Sequence, residues 1–585
     1  MAGKVFELPG GIQPDQMAKT IAQNWSDWYF QKSDWMESHN ELRNYLFATD
    51  TSTTTNNTLP WRNTTTIPKL SQIRDNLHSN YIESLMPNDS WLRWESYTTD
   101  TMEQQKKHTI EAYMANKTRQ QDFRPTMSQL LYDYIDYGNV FATTDYVHKT
   151  RTDVNGEEHT IYSGPIVRRI HPFDIVFNLT APSFEESPII TRSIMSVGEF
   201  AQRVDEATDK QAAEEVLEKV KAMRAGMSGT SLEDTKKYEG IEQDGFGNFW
   251  QYLMSGHVEL LTFQGNLYDP NTGEYHPNRK VVVADRSFVL SDEEIPDAMG
   301  RNVFHTGWRK RTNNLWCMGP LDNLVGMQYR IDHLENIKAD VFDLIAYPPL
   351  KITGDVDEFE WAPGAEIHID EGGNVEMLAP PTQALQADFQ IRELMDKMEL
   401  LAGAPREAMG VRSPGEKTAF EVQQLLTAAG RIFQEKITHF EIELLEKQLN
   451  KMLEAAQRNM KVEDVIRIMD DDIGAEVFTS ITANDITANG KIRPVGARHF
   501  AKQAKDLRSL AELFQTPVGE MVRPHTSAIE MTKFIDDTLG LQGYDLFVPN
   551  IAVKEQESTA VEQGISAENV EAQLDPANAP ELPEE

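Results

Sequence analysis

The apolar positions of this chain change period several times, and each change marks an element. Between residues 14 and 48, Met17, Ile21, Trp25, Trp28 and Tyr29 recur at three- and four-residue steps, and Trp35 and Leu42 continue the stripe. That spacing predicts one helix with a buried face. The stretch 50–66 carries runs of Thr and Asn and reads as a loop. Pro68 opens a second helix with Leu70, Ile73, Leu77, Tyr81 and Leu85 on one face, and Pro87 ends it. Further helices are expected near 102–118 and 125–137. Trp91 and Trp94 sit between helices, where packing is the expected role of their rings.

At Gly138 the period drops to two. NVFATTDYVHKT alternates, Asn155-Gly156 signals a turn, and HTIYSGPIVRRI and DIVFNL follow. This predicts a hairpin and a further strand. Residues 186–245 contain VGEFAQRV and AAEEVLEKVKAM and read as an exposed helical insertion. Strands resume in HVELLTFQG, RKVVVADRSFVLS and around VFHTGW.

From Gly319-Pro320 a helical pattern runs for about 26 residues, roughly 39 Å at the α-helical rise, until Pro348-Pro349 stops it. A compact β segment follows, with 365–369 and 374–378 as expected hairpin arms around Glu371-Gly372-Gly373. Pro380-Pro381 closes it, and a second helix is expected over about 383–402. A Gly- and Pro-containing loop, 403–415, leads to a long helix over 414–458. Ser413 can cap that helix, Pro414 suits its first turn, and Glu416 completes a capping box. Strands are expected near 475–495 and helices over 497–515 and 525–538. From residue 554 the chain is acidic and Pro-containing, the composition of a disordered tail.

Composition narrows the reading. Against 56 Lys+Arg stand 92 Asp+Glu, for a net charge of −36. Gripping nucleic acid through its phosphates calls for a basic face, so the charge balance disfavours that as the main task. No run approaches the roughly 18–20 apolar residues that cross a bilayer. The first residues, MAGKVFELPGG, lack the apolar stretch of a signal peptide. The single cysteine, Cys317, excludes an intrachain disulfide and a multi-cysteine zinc site, and fits a reducing cytosol.

Motifs for chemistry are sparse. Gly410 to Thr418, GVRSPGEKT, nearly spells a phosphate loop, but Glu416 separates Gly415 from Lys417 and breaks the register the phosphates need. Asp470, Asp471 and Asp472 lack calcium-loop spacing and read as a solvated acidic turn. There is no His-Glu-x-x-His and no Gly-x-Ser-x-Gly. Nothing points to an enzyme, a metal or a cofactor. Several basic residues recur along 309–412, and Lys338, Lys397, Arg406 and Arg412 are candidates for sparse, salt-sensitive phosphate contact. Asp355, Asp357, Glu358 and Glu360 beside Trp361 form an acidic patch with an aromatic anchor, a composition suited to a partner interface.

Two segments resemble a known family. NNLWCMGPLDNLVGMQYRIDHLENIKADVFDLIAYPPLKI (313–352) and GAPREAMGVRSPGEKTAFEVQQLLTAAGRIFQEKI (403–437), with the helix, β module, return helix and loop order, resemble the portal proteins of tailed bacteriophages. The likeness spans 300–460 and extends to the WRN and IRDNLHSNYIESLMP segments, as in connectors of short-tailed phages.

That resemblance implies an α+β, elongated protomer in a homo-oligomeric ring, usually of twelve subunits, at one capsid vertex of the virion. Residues 1–137 would be the helical part of a wing. Residues 138–318 would be its strand-rich part with the insertion 186–245. A stem would comprise 319–346 and 383–402, with a β clip, 347–382, between them. The tunnel loop would be 403–414, the long wing helix with following strands 415–499, crown helices 500–553 and the acidic tail 554–585. Double-stranded DNA would pass the channel candidates Lys338, Lys397, Arg406 and Arg412. The clip, with Asp355, Asp357, Glu358, Glu360 and Trp361, would meet the terminase large subunit and later the tail adaptor protein. Major capsid and scaffold proteins would be further partners, with no cofactor, no metal and no membrane. An acidic channel would repel phosphate and discourage stalling. Other classes stay open: a tail adaptor or other virion scaffold, or a nucleotide-driven motor subunit.

Overall fold

The computed structural model describes residues 5–47, 66–86, 91–97, 101–152, 158–179, 181–205, 210–226, 256–295, 300–312, 314–354, 373–378, 386–402, 433–460, 464–470 and 475–494. They form a mixed α and β protein. The chain divides into two units. One holds Met1–Leu85, Arg93–Val465 and Ser480–Pro494; the other holds Met86–Leu92, Ile466–Thr479 and Val495–Glu585.

In the first unit, β1 (Val5–Glu7) leads into α1 (Pro14–Gln31) and α2 (Ser33–Phe47). The single helix predicted over 14–48 is thus broken at Lys32. Its side chain supplies the reason. Lys32 is 2% exposed, and its Nζ donates to the carbonyls of Pro172, Phe173 and Ile175 at 3.1, 2.7 and 2.8 Å. Three acceptors compensate the desolvated ammonium, which an apolar environment would otherwise exclude. The break lets α1 bury Met17, Ile21, Trp25 and Tyr29 in the core of the large sheet. The second helix adds Met36 to that core and packs also on α3 (Lys69–Leu85), whose buried face is the one its spacing predicts.

After β2 (Leu92–Ser96), α4 (Thr101–Gln120) and α5 (Phe123–Asp136), the chain enters β3 (Asn139–Thr152) and β4 (Glu158–Ile170). These two strands are an antiparallel pair. Gly138 stands at the entry with φ +63°, and a Cβ there would overlap the backbone of Met318 and Gly319. Only glycine meets both conditions.

Next come β5 (Ile175–Phe177), β6 (Ile189–Ser196), α6 (Val197–Asp205), α7 (Lys210–Gly226), β7 (His257–Tyr268), β8 (Tyr275–Ala284) and β9 (Phe288–Glu294). The five strands follow one another across a sheet in the order β5-β6-β7-β8-β9, and β1 adds in parallel to the end of β7. Alternate residues of β7 serve opposite faces. Leu261 and Phe263 meet α1, whereas Val258 and Leu260 meet Phe200 and Val204 of α6 and Val216 and Val220 of α7. The range 186–245, expected as an exposed insertion, therefore begins with a sheet strand, and its two described helices cover the sheet. Paired with β7 from Ile189↔Gln264 to Ser196↔His257, β6 carries too short a period-two pattern to separate from the helices after it. Residues 227–255 lie outside the described residues.

The strand β10 (Val303–Gly307) joins β3 and β4 in a three-stranded sheet. It is followed by the short pair β11 (Arg309–Arg311) and β12 (Asn314–Met318). Then come α8 (Val325–Ala346), β13 (Leu350–Thr353), β14 (Asn374–Met377) and α9 (Ala387–Leu401). Residues 433–440 are helical and continue through a π-helical turn, Glu441–Leu445, into α10 (Glu446–Asn459). Of the long helix expected over 414–458, residues 414–432 lie outside the described residues. The last described elements are β15 (Asp464–Asp470), paired with β16 (Ala475–Ile481), and β17 (Gly490–Pro494), paired with β2. The helices expected over 497–515 and 525–538, and the tail from 554, fall outside the described residues.

Candidate functional site

The region that carries the resemblance is built from α8, the hairpin β13–β14 and α9. The two helices pack on each other, and the start of α3 anchors both. One turn apart on α8, Gln328 and Asp332 face the first turn of α3. Gln328 Oε1 accepts from Leu70 N at 3.2 Å, and its Nε2 donates to Ile67 O and to Asp332 Oδ1. Asp332 Oδ1 also accepts from Ile67 N at 2.9 Å. Amides at a helix start have no intrahelical acceptor, and α8 supplies acceptors from its side chains. Burial pushes the Asp332 carboxyl up to about 6, against the lowering effect of its hydrogen bonds. From the same turn of α3, Lys69 Nζ pairs with Glu399 of α9 and donates to Gln72 Oε1 at 2.8 Å.

Away from that anchor the helix pair carries charge on its surface. Lys338 bridges Glu335 of its own helix at 2.7 Å and Asp388 of α9 at 2.9 Å. Lys397 is exposed and pairs with Glu393 at 2.8 Å. Of the four channel candidates, these two are described, and both are already matched by carboxylates. Arg406 and Arg412 lie outside the described residues. So do the clip candidates Asp355, Asp357, Glu358, Glu360 and Trp361.

The described hairpin has a pairing the sequence reading did not name. Residues 374–377 pair with 350–353, in the register Leu350↔Met377, Lys351↔Glu376, Ile352↔Val375 and Thr353↔Asn374. The pair thus closes over the 20 residues between Thr353 and Asn374. The other expected arm, 365–369, lies outside the described residues. The turn signal at Glu371-Gly372-Gly373 favoured a local partner, and the Lys351–Glu376 and Ile352–Val375 cross-strand matches were not visible without knowing the register.

Large apolar side chains are uncovered along this region. Phe389 is 76% exposed, Tyr347 75% and Leu400 68%, and Phe342, Ile352 and Met377 are each more than half exposed. Exposed large apolar side chains are the material of interaction surfaces where they lie together.

A second group escaped the sequence reading. Asn139 at the start of β3 accepts from Cys317 N at 2.9 Å and from His305 Nε2 at 3.1 Å, and its Nδ2 donates to Cys317 O at 2.9 Å. Cys, His and Asn thus meet, but their environment opposes nucleophilic chemistry. Burial pushes the Cys317 thiol up to about 11 and the His305 imidazole down to about 3. A reactive pair needs a stabilised thiolate and a basic imidazole. The group instead ties β3, β10 and β12 together. Among the described residues no group of three or more His, Cys, Asp or Glu side chains is placed to hold a metal ion. None of the described helices is long and apolar enough to cross a membrane.

No protein-family profile and no curated protein matches this chain.

Proposed function

We propose that this chain is the protomer of a portal ring at a capsid vertex of a tailed bacteriophage. In this reading the ring is the channel through which terminase packages double-stranded DNA, the route by which the genome leaves, and the attachment point of the tail. The observation that carries it is the helix pair α8 and α9, joined through a hairpin and bearing Phe342, Phe389 and Leu400 uncovered. A subunit in a closed ring presents two different faces to its two neighbours, and each must be buried on assembly. Apolar side chains left bare on a chain of net charge −36 meet that requirement. Under this proposal α8 and α9 are the stem, β13–β14 is the base of the clip, and the ring does no chemistry of its own. The matched charges of Lys338 and Lys397 suit a wall that DNA passes without being held.

Single-particle imaging of the purified protein tests the proposal, with symmetry counted in end-on views. A ring near twelvefold, with an opening wide enough for duplex DNA, is the expected result. A closed particle without a hole, or a sixfold ring that responds to ATP, refutes it.

A further inference from the structure

A cleft of about 670 Å3 opens between β10, α10 and the segment around Glu185. Arg301 lines it. The guanidinium Nη1 donates to Phe184 O at 3.2 Å and to Ser187 O. No carboxylate among the described residues accepts from it. That sets Arg301 apart from the other arginines drawn into the body of the unit. Arg74 pairs with Asp136, Arg169 with Asp133, Arg192 with Asp174 and Arg286 with Glu259. Burial pushes Arg301 down to about 10, with the charge of Glu185 opposing only in part, so it remains a cation at neutral pH. A desolvated cation whose counter-charge is only partial is costly, and the cost falls when an anion reaches it.

Two lysines flank the same cleft. Lys447 pairs with Glu185, and Lys451 with Glu454 at 3.0 Å one turn along α10. The Lys447–Glu185 pair faces solvent and is worth about 0–1 kcal/mol, so Lys447 can turn to a new partner.

We propose that Arg301 receives a side-chain carboxylate from a second copy of this chain, and that the cleft is part of a contact between subunits. Charge decides the occupant. Every copy carries 92 Asp+Glu against 56 Lys+Arg, so a neighbouring surface is rich in carboxylates. Glu185, Glu186 and Glu454 at the rim disfavour a phosphate strand, which brings a charge at every step. One carboxylate can pass between them and meet the planar guanidinium fork. The inference rests on the ring reading above and adds to it a contact remote in sequence from the helix pair.

The test is assembly of the full-length chain with R301Q, R301E and R301K, followed by mass photometry across a dilution series at low and high salt. Unfolding of the unassembled chains is measured in parallel. R301Q is expected to raise the half-assembly concentration at least about tenfold, and R301E more, because repulsion is added to the lost pair. R301K keeps the charge without the fork and should fall between wild type and R301Q. Should R301Q unfold, the R301K result and the salt dependence of wild-type assembly still decide. Rings indifferent to all three substitutions overturn this inference and leave the ring reading standing. So does tight binding of inorganic phosphate at Arg301 without any change in assembly. A wild-type chain that forms no closed ring, alone or expressed with its capsid and scaffold proteins, refutes the ring reading itself.

Discussion

Removing the Glu399 carboxylate should release α9 from the body of the protein without unfolding the rest. In E399A the Lys69 ammonium stays buried, at 7% exposure, with Gln72 Oε1, at 2.8 Å, as its remaining acceptor among the described residues. Both charges are shielded from water, so an effective dielectric near 20 applies and the attraction is about 4 kcal/mol at 4 Å. The bond to Gln72 is already made in the wild type and offsets none of this loss. The net loss is about 4 kcal/mol, within the roughly 3–5 kcal/mol that breaking a buried pair costs. That loss falls on a helix with little else to hold it: besides Glu399, its buried side chains are Ile391 and Met398. Each is worth about 1.5–3 kcal/mol of burial. Opening should therefore be local. Hydrogen–deuterium exchange followed by mass spectrometry measures it directly. Peptides covering 387–401 should exchange about a thousandfold faster in E399A, while peptides from the large sheet keep wild-type protection. The double variant K69M/E399L, which replaces both charges with apolar volume, should restore most of the protection. Exchange within about threefold of wild type over 387–401 in E399A would refute the reasoning, and so would equal loss of protection everywhere.

Gly307 has no room for a side chain, because an added Cβ would overlap Cys317. G307A should lower stability by about 1–3 kcal/mol in urea unfolding, and C317A in the same chain should recover part of it. Two buried groups should give opposite pH signatures. His305 is held neutral with its pKa down at about 3, so between there and the ordinary value near 6.5 the unfolded chain binds the extra proton. Its contribution is present above about 6.5 and lost as pH falls through that window, and H305Q should flatten the acid side of the stability profile. Asp332, pushed up to about 6, binds its proton more readily folded than unfolded. That contribution is present below the ordinary value near 4 and lost as pH rises through 6, so D332N should gain on wild type at pH 7.5 and not at pH 4. Parallel profiles for wild type and D332N would remove Asp332 from this account.

What the sequence made legible follows periodicity. The buried face of α3 is the one its spacing predicts, and α4 and α5 begin and end within two residues of expectation. The helix, β segment and helix order between the proline pairs is likewise present in α8, β13–β14 and α9. What failed depends on distant partners. The break at Lys32 is stabilised by carbonyls some 140 residues away, and nothing within 14–48 announces it. The strand β6 reads as the preface to a helix because its pairing partner lies in another part of the chain. Glu399 was readable in principle, since a carboxylate beside Met398 on the inward face of α9 has to find a cation. Its partner Lys69 was not, being 330 residues away. Arg301 carries no local signal, because its character comes from what fails to surround it.

The hairpin β13–β14 has a consequence for how this protein can change over generations. Its four-residue register joins the chain at two points and gathers the 20 residues between them behind one short doorway of backbone hydrogen bonds. Whatever is inserted, deleted or rewritten behind that doorway leaves the entry and exit directions of α8 and α9 as they were, because loop length bears on stability only logarithmically. The two helices are bound to their own body and to each other. A lineage could therefore rewrite the sequence between those two points to suit a new partner while keeping its old scaffold.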